Sequence, residues 1–314
     1  MSSIDAAVVV GAGAVGASLA AMLAEINPAS VFVSASGERQ ERYRRRGFVV
    51  NGKTFHFRMA DPSMVGAADL IIVAVKNYHL EEAIEEMRPF VGAHTIILSL
   101  LNGVTAVPRL RAEFGADKVP LAMILGIDAH RKENQIHYSK RGEIYFGFEQ
   151  AYARQHDSRI RAVARFFDAH RIQYRIPADI LREVWFKFML NVGLNQWSAV
   201  LRAPYGIFVS NPHARSLLID TMREVVQLSE KLQTGLQPGD VERALTVIAG
   251  MPPQGQTSML QDVLAGRKTE VDAFAGAVVN LAQQEGLAVP LNQALYRALS
   301  VLEGSVPAGA EGLA

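Results

Sequence analysis

The chain has 314 residues, of which 49% are hydrophobic and 20% charged, and its formal net charge is +1. This length favours two domains, the composition is that of a globular protein, and the small net charge gives no general attraction to nucleic acid or to acidic membranes. The absence of cysteine excludes disulfides, thiolate metal sites and cysteine nucleophiles.

The sequence opens with an apolar stretch, residues 6–10, that runs directly into a glycine motif. No basic segment precedes it and it is short for a signal peptide, so we interpret it as a strand. No other apolar run reaches the length of a membrane span. We therefore expect a cytoplasmic protein.

A β-branched run, Val8–Val10, predicts a buried parallel strand. The motif that follows it is Gly11-Ala12-Gly13-Ala14-Val15-Gly16. In a dinucleotide site, Gly11 allows the tight turn, Gly13 lets a pyrophosphate approach the backbone, and Gly16 lets the next helix pack against the strand. That helix would offer free N–H groups and its positive dipole end to the phosphates. The pattern predicts a Rossmann dinucleotide-binding domain.

The second predicted strand, residues 31–35, ends where the adenosine ribose of a dinucleotide lies. A site for NAD often has Asp or Glu there, whereas a site for NADP needs room and a cation. Here the strand is followed by Ser36, with Arg39 three residues further on. We expect one of these two residues to contact a 2′-phosphate. The sequence therefore favours NADP(H) as the cofactor.

Two further buried strands are predicted over residues 69–75 and 95–101. They end at Lys76 and Asn102, at the edge of an open α/β sheet where ligands bind. We expect both side chains to face cofactor or substrate. The alternatives are an exposed loop lysine and simple turn chemistry before Gly103.

The rest of the first half is interpreted as an extension of the same sheet. Residues 119–125 predict a strand that continues it, and residues 136–148 an antiparallel hairpin that extends it. His130 and His137 lack metal-ligand spacing and are expected to be structural or exposed. No metal site is predicted.

Pro177 marks a change from strand patterns to helical periodicity. We place the domain boundary there, with a Rossmann domain over residues 1–177 and an all-helical substrate-binding domain over residues 178–314. The last residues, 304–314, are expected to be frayed. Helices are predicted over residues 179–201, 212–234, 238–249, 257–265, 269–285 and 292–302.

The first of these helices is apolar nearly all round, which is typical of a buried helix. Lys187, Asn191 and Asn195 nevertheless fall four residues apart and form one polar stripe. Buried lysine and amide groups need partners, so the stripe is interpreted as the wall of a polar cleft. The alternative is that Lys187 extends to water and the asparagines cap loops.

Two later segments place polar groups at helix starts. Helix capping explains one of Thr257 and Ser258 but hardly both. An acid in a first helical turn, such as Glu270, is expected from the helix dipole alone. By themselves these segments do not establish a site.

Together the motifs resemble the ketopantoate reductase (2-dehydropantoate 2-reductase) family over almost the whole chain. The glycine motif is shared by many dehydrogenases, whereas the lysine–asparagine stripe followed by the last two motifs is far more specific. The residues that carry the resemblance are the glycine motif, Lys76, Asn102-Gly103, Lys187 with Asn191 and Asn195, Ser258-Met-Leu-Gln-Asp262 and Thr269-Glu270-Val-Asp272.

The resemblance implies reduction of ketopantoate to pantoate with NADPH, a step toward pantothenate and coenzyme A, in a cleft between the two domains. Lys187 would be the general acid that protonates the carbonyl oxygen as hydride arrives. Glu270 would bind the substrate hydroxyl and help to set the lysine. The other site residues would be Asn191, Asn195 and Ser258 on the substrate, and Lys76 and Asn102 toward cofactor and substrate.

Three positions depart from the family pattern. Ser36 stands where an arginine often meets the 2′-phosphate, Gln196-Trp197 follows the second asparagine where a small residue or proline is common, and Ala275 replaces a frequent asparagine. These departures leave two alternatives open: the same mechanism on a different 2-keto acid, or a non-catalytic protein that senses NAD(P). The apolar helical half is also compatible with a homodimer.

Overall fold

The computed structural model of the chain describes residues 3–304. Contacts between residues divide them into an N-terminal domain, residues 3–102 and 106–180, and a helical domain, residues 103–105 and 181–304. Residues 305–314, for which fraying is expected, lie outside the described part of the chain. Among the described helices, none has the length and apolar character needed to cross a membrane.

The N-terminal domain alternates strands and helices, as a doubly wound sheet requires. Its strands are β1 (Ala7–Val10), β2 (Val31–Ser34), β3 (Phe48–Val50), β4 (Lys53–Phe55), β5 (Arg58–Met59), β6 (Leu70–Val73), β7 (Ile96–Ser99), β8 (Leu121–Lys132), β9 (Gln135–Gly147) and β10 (Tyr174–Arg175). Its helices are α1 (Ala14–Ile26), α2 (Gly37–Arg46), α3 (Pro62–Val65), α4 (Leu80–Met87), α5 (Ala106–Phe114) and α6 (Gln150–Ala169).

A parallel sheet in the order β5-β2-β1-β6-β7 forms the centre of this domain. Val9 on β1 pairs in register with Val33 on β2 and with Ile72 on β6. Every residue of β1, β2, β6 and β7 is buried, because both faces of the sheet are covered. This order, with a glycine turn after β1, is that of a dinucleotide-binding Rossmann sheet, and the predicted fold class is confirmed.

The strands expected to extend this sheet form a second sheet instead. β8 pairs antiparallel with β9, which belongs to a sheet of order β10-β9-β3-β4. The hairpin predicted over residues 136–148 is wrong: residues 136–147 lie in the single strand β9, and the turn is at residues 133–134. Gly142 lies inside this strand with a φ of 73°. His130 and His137 oppose each other across β8 and β9, and both are exposed, as expected.

The helical domain contains the helices that follow the second sheet. Two differences from the predicted pattern stand out. A helix forms directly after Pro204, in the gap left between the helices predicted over residues 179–201 and 212–234. The helix predicted over residues 269–285 begins only at Ala275, after a separate 3-10 turn, Val271–Ala273. The helices are α7 (Ile180–Leu201), α8 (Tyr205–Ser210), α9 (Pro212–Leu232), α10 (Asp240–Ala249), α11 (Ser258–Leu264), α12 (Ala275–Gln284) and α13 (Pro290–Leu302).

Helix α7 is buried in the helical domain, as its nearly continuous apolar surface predicts. Met189 and Val192 are fully buried in a core that also contains Leu218 and Met222 of α9. A Cβ atom at Gly193 would lie 2.8 Å from side-chain carbons of both α9 residues. Glycine therefore lets the two helices approach closely, which holds α7 rigidly in place.

Candidate active site

The glycine loop between β1 and α1 is shaped by steric demands that only glycine meets. Gly11 has a φ of 93°, and a Cβ there would lie 2.5 Å from Cγ1 of Val75. A Cβ on Gly16 would lie 1.9 Å from the carbonyl oxygen of Gly11. Both glycines are therefore required for the turn and for packing of the first turn of α1 against it.

Gly13 differs from its two neighbours in the motif, because the protein itself leaves room there. Its φ is −70°, which any residue adopts, and an added Cβ would meet nothing nearer than the Ala74 carbonyl oxygen at 3.9 Å. Gly13 is also the N-cap of α1, and no side chain caps that helix. The open space and the N–H groups of the first turn, at Ala14 and Val15, fit a dinucleotide pyrophosphate.

The end of β2, where an adenosine ribose belongs, has a mixed character. Ser36 is exposed and is the N-cap of α2, but its hydroxyl does not cap the helix. Arg39 is engaged by Glu86 of α4 in an ion pair whose carboxylate side is largely buried. The structure therefore leaves the Ser36 hydroxyl available to a ligand, whereas a ligand phosphate would compete with Glu86 for Arg39.

Arg131 contacts the glycine loop and was missed in the sequence. Its guanidinium, which belongs to β8, donates a hydrogen bond to the Ala12 carbonyl oxygen and lies 5.5 Å from the centre of the Tyr43 ring. Because 119 residues separate it from Ala12, only correct placement of the β8–β9 hairpin could have revealed the contact. Arg131 braces the loop from outside the glycine motif.

The ends of β6 and β7 are tied together, as their positions at one sheet edge predicted. The Asn77 side chain donates a hydrogen bond of 3.0 Å to the Asn102 carbonyl oxygen. Lys76 directly precedes Asn77 and has extended backbone geometry. The structure thus places the segments carrying Lys76 and Asn102 side by side.

The polar stripe on α7 is half-buried to buried. Asn191 and Asn195 are only 9% and 7% exposed, and Lys187 retains partial contact with solvent. Amide groups at this burial need hydrogen-bonding partners. Their alignment at four-residue spacing gives three polar groups along one side of an otherwise apolar helix.

Lys187 and Glu270 are coupled electrostatically within the helical domain. Burial lowers the pKa of Lys187 to about 8, and the Glu270 carboxylate acts in the opposite direction and raises it. Glu270 itself is 6% exposed. A lysine of this pKa exchanges its proton near neutral pH, as general acid–base chemistry requires.

The segment after β7 approaches the turn that follows Glu270. Gly103, which belongs to the helical domain, has a φ of 87°, and a Cβ there would lie 2.8 Å from the Ala273 carbonyl oxygen. Glycine is therefore needed for both the backbone conformation and the close contact. Turn chemistry alone does not account for the Asn102-Gly103 pair.

Ser258 does not cap helix α11. Thr257 is the N-cap, and its Oγ1 accepts a hydrogen bond of 3.1 Å from the Leu260 N–H. Ser258 is the exposed first residue of the helix. Capping thus explains Thr257 and leaves the Ser258 hydroxyl for another role.

Two of the positions that depart from the family pattern contact each other. The Gln196 side-chain oxygen accepts a hydrogen bond of 3.0 Å from the Ala275 N–H in the core. Trp197 points elsewhere, and its Nε1 donates to the Thr221 hydroxyl at 2.8 Å. The unusual residues at positions 196 and 275 are therefore linked by one hydrogen bond.

Two family models match most of the chain. The model described as "Ketopantoate reductase PanE/ApbA" matches residues 7–150, and "Ketopantoate reductase PanE/ApbA C terminal" matches residues 179–303. The 2-dehydropantoate 2-reductase of Halobacterium salinarum is 30% identical over 295 residues, which cover 92% of this chain and 95% of the relative. The chain belongs to the ketopantoate reductase family. It is an oxidoreductase, and the resemblance drawn from its motifs is confirmed.

Solved structures share the two-domain ketopantoate reductase fold. The 2-dehydropantoate 2-reductase from Geobacter metallireducens GS-15 matches with a TM-score of 0.81 at 25% identity, over 94% of this chain and 99% of that one. The ternary structure of D-mandelate dehydrogenase with NADH and anilino(oxo)acetate matches with a TM-score of 0.83, over 95% of this chain and 98% of that one. At 18% identity, this second likeness shows the fold alone.

Proposed function

We propose that the chain reduces 2-dehydropantoate to (R)-pantoate with NADPH, and that Lys187 is the general acid. The observation that carries this proposal is the Lys187–Glu270 pair, with a lysine pKa of about 8. Near neutral pH such a lysine is mainly protonated, yet it releases its proton more readily than an ordinary lysine. The pantoate product would feed pantothenate and coenzyme A synthesis.

The chemistry needs a cation and a proton at the carbonyl oxygen. A bound nicotinamide supplies the hydride. As the carbonyl carbon is reduced, negative charge grows on its oxygen, and the Lys187 ammonium stabilises that charge before its Nζ proton moves to the oxygen. The neutral amine then regains a proton from solvent, so that one keto acid, one hydride from the nicotinamide and one proton from solvent yield the hydroxy acid.

The neighbouring polar groups would hold the substrate. Glu270 accepts a hydrogen bond from the hydroxyl of 2-dehydropantoate and favours the charged form of Lys187. The amides of Asn191 and Asn195 donate to substrate oxygens, and Ser258 adds a hydroxyl. A residue set with a proton donor favours a catalyst over a protein that only senses NAD(P).

NADP(H) is the proposed cofactor. The open space at Gly13 and the uncapped start of α1 fit its pyrophosphate, and Lys76 and Asn102 stand at the strand ends where the rest of the dinucleotide would lie. Ser36 and Arg39 are the proposed contacts of the 2′-phosphate. The absence of an acid at the end of β2 favours NADP over NAD.

A different 2-keto acid is the second candidate substrate. It is favoured by the Gln196–Ala275 contact, which stands at two positions that depart from the family pattern. D-mandelate dehydrogenase, which shares the fold, was solved with NADH and anilino(oxo)acetate. The mechanism at Lys187 is the same for either substrate.

The decisive test is oxidation of NADPH and of NADH, followed by absorbance, with 2-dehydropantoate, phenylglyoxylate and simpler 2-keto acids. We expect NADPH-dependent turnover of 2-dehydropantoate at the highest kcat/KM. Turnover of another keto acid alone would retain the mechanism and reject the substrate. Cofactor binding without turnover of any keto acid would instead support a sensor.

A further inference from the structure

We infer that Gln196 is a positioning residue that holds Glu270 in place beside Lys187. This inference rests on the roles proposed above for the two charged residues. Gln196 lies nine residues beyond Lys187 on the same helix, α7, and is fully buried. It occupies a position at which this chain departs from the family pattern.

The carboxamide of Gln196 bridges two elements. Its Nε2 donates a hydrogen bond of 2.8 Å to the Val192 carbonyl oxygen of α7, and its Oε1 accepts one of 3.0 Å from the Ala275 N–H. Only the oxygen of the amide can face an N–H donor, so the chemistry itself fixes the orientation of the group. Gln196 therefore has one hydrogen bond to its own helix and one to the start of α12.

The hydrogen bond from Ala275 to Gln196 satisfies a backbone N–H at the start of α12. Ala275 is the first residue of that helix, and its N–H has no carbonyl partner within the helix. The N-cap residue, Phe274, has φ −111° and ψ −94° and offers no side-chain hydrogen bond. Gln196 acts as a cap supplied from another helix, which a buried N–H requires.

A short, internally bonded turn connects this anchor to Glu270. The Ala273 N–H donates to the Glu270 carbonyl oxygen at 3.0 Å, and the Phe274 N–H donates to the Val271 carbonyl oxygen at 3.1 Å. Fixing Ala275 to α7 therefore also fixes the backbone of Glu270 relative to that helix. Lys187 is on the same rigid helix, so the Gln196–Ala275 hydrogen bond sets the separation of the two charged groups.

The test measures the pKa of Lys187 directly, by NMR titration of protein with 13C-labelled lysine, without substrate or cofactor. In Gln196→Met the side chain keeps its length, but its thioether sulfur is only a weak acceptor for the Ala275 N–H. We expect the pKa of Lys187 to fall by about one unit, the lower end of what a nearby opposite charge contributes. Trp197→Phe, which loses the neighbouring side-chain hydrogen bond of the same helix, is the matched control and should leave this pKa unchanged.

A double substitution separates positioning from general loosening. Glu270→Gln should lower the pKa of Lys187 by itself, and adding Gln196→Met should then change it no further, because Gln196 acts through Glu270. An unchanged or raised pKa in Gln196→Met, or an equal further fall in the double variant, would overturn the inference. Should the Met variant not fold, Gln196→Asn retracts the amide by one methylene and is titrated instead. Absence of keto-acid turnover in the unmodified enzyme would reject the proposed function and leave this titration valid.

Discussion

The Glu270 carboxylate raises the pKa of the Lys187 ammonium, whereas burial lowers it, and the resulting pKa is about 8. The two influences oppose each other, so the lysine remains protonated near neutral pH despite its surroundings. Both residues belong to the helical domain. The proton chemistry of the proposed reaction is therefore prepared within that domain.

The rate of keto-acid reduction should depend on pH through Lys187. The acid must be protonated, so kcat/KM should be constant below the lysine pKa of about 8 and decline as the pH rises through it. In Glu270→Gln the raising influence is lost, and the declining limb should move to lower pH by about one unit. Initial rates across a pH series measure both limbs. A limb that stays in place in Glu270→Gln would remove Glu270 from control of the lysine.

Removal of the proposed acid should reduce chemistry and leave cofactor binding intact. Lys187→Ala should lower kcat by about 10²–10⁴-fold, the usual contribution of a general acid. The affinity for NADPH, measured by its fluorescence, should be nearly unchanged. Lys231→Ala, at an exposed lysine in the last turn of α9, is the control and should have full activity. A loss of less than about tenfold at Lys187 would reject its role as acid.

Local patterns predicted the features of the fold and candidate site that depend on near neighbours in sequence. The glycine motif identifies its turn because Gly11 and Gly16 meet within a few residues. The stripe from Lys187 to Asn195 follows from the period of a single helix. Capping also predicted that only one of Thr257 and Ser258 would be explained by the helix start, and the structure shows Thr257 as the cap.

Long-range pairing accounts for what the sequence did not reveal. Strand β8 could pair with any of several strands, and its amphipathic pattern does not predict which sheet it joins. The Gln196–Ala275 bond joins residues 79 apart. Periodicity marks which residues are buried, but it does not show which side chain meets which backbone group.

Two neighbouring glycines should respond in opposite ways to alanine. At Gly16 the new Cβ would lie 1.9 Å from the Gly11 carbonyl oxygen, and we expect destabilisation by about 1–3 kcal/mol or more. At Gly13 the atom nearest to an added Cβ is 3.9 Å away. The free energy of unfolding of Gly13→Ala should therefore differ from that of the unmodified protein by no more than about 1 kcal/mol. Its affinity for NADPH should nevertheless fall about tenfold, or ~1.4 kcal/mol. Denaturant unfolding and NADPH titration distinguish the two; unchanged NADPH affinity in Gly13→Ala would argue against a pyrophosphate at this position.

The ion pair between Arg39 and Glu86 should govern the preference between NADPH and NADH. If Arg39 contacts the 2′-phosphate, Arg39→Met should weaken NADPH binding by about tenfold, a modest loss for a charged contact, and leave NADH binding unchanged. Glu86→Gln removes the competing carboxylate and should strengthen NADPH binding alone. Titration of both nucleotides checks each variant. Equal effects on NADPH and NADH would assign Arg39 to packing rather than to phosphate recognition.

Arg131 should influence both nucleotides alike, because it contacts the glycine loop at the Ala12 carbonyl oxygen. Arg131→Met keeps much of the packing against Tyr43 and removes the hydrogen bond, so the loop should lose part of its order. We expect NADPH and NADH affinities to fall together by about 3–10-fold, equivalent to the ~1 kcal/mol typical of one hydrogen bond. Arg141→Met, at an exposed position of the adjacent strand β9, is the control and should bind both nucleotides normally. A loss of affinity for NADPH alone would instead show that Arg131 contacts the 2′-phosphate. Arg131 would then replace Arg39 as the proposed phosphate ligand.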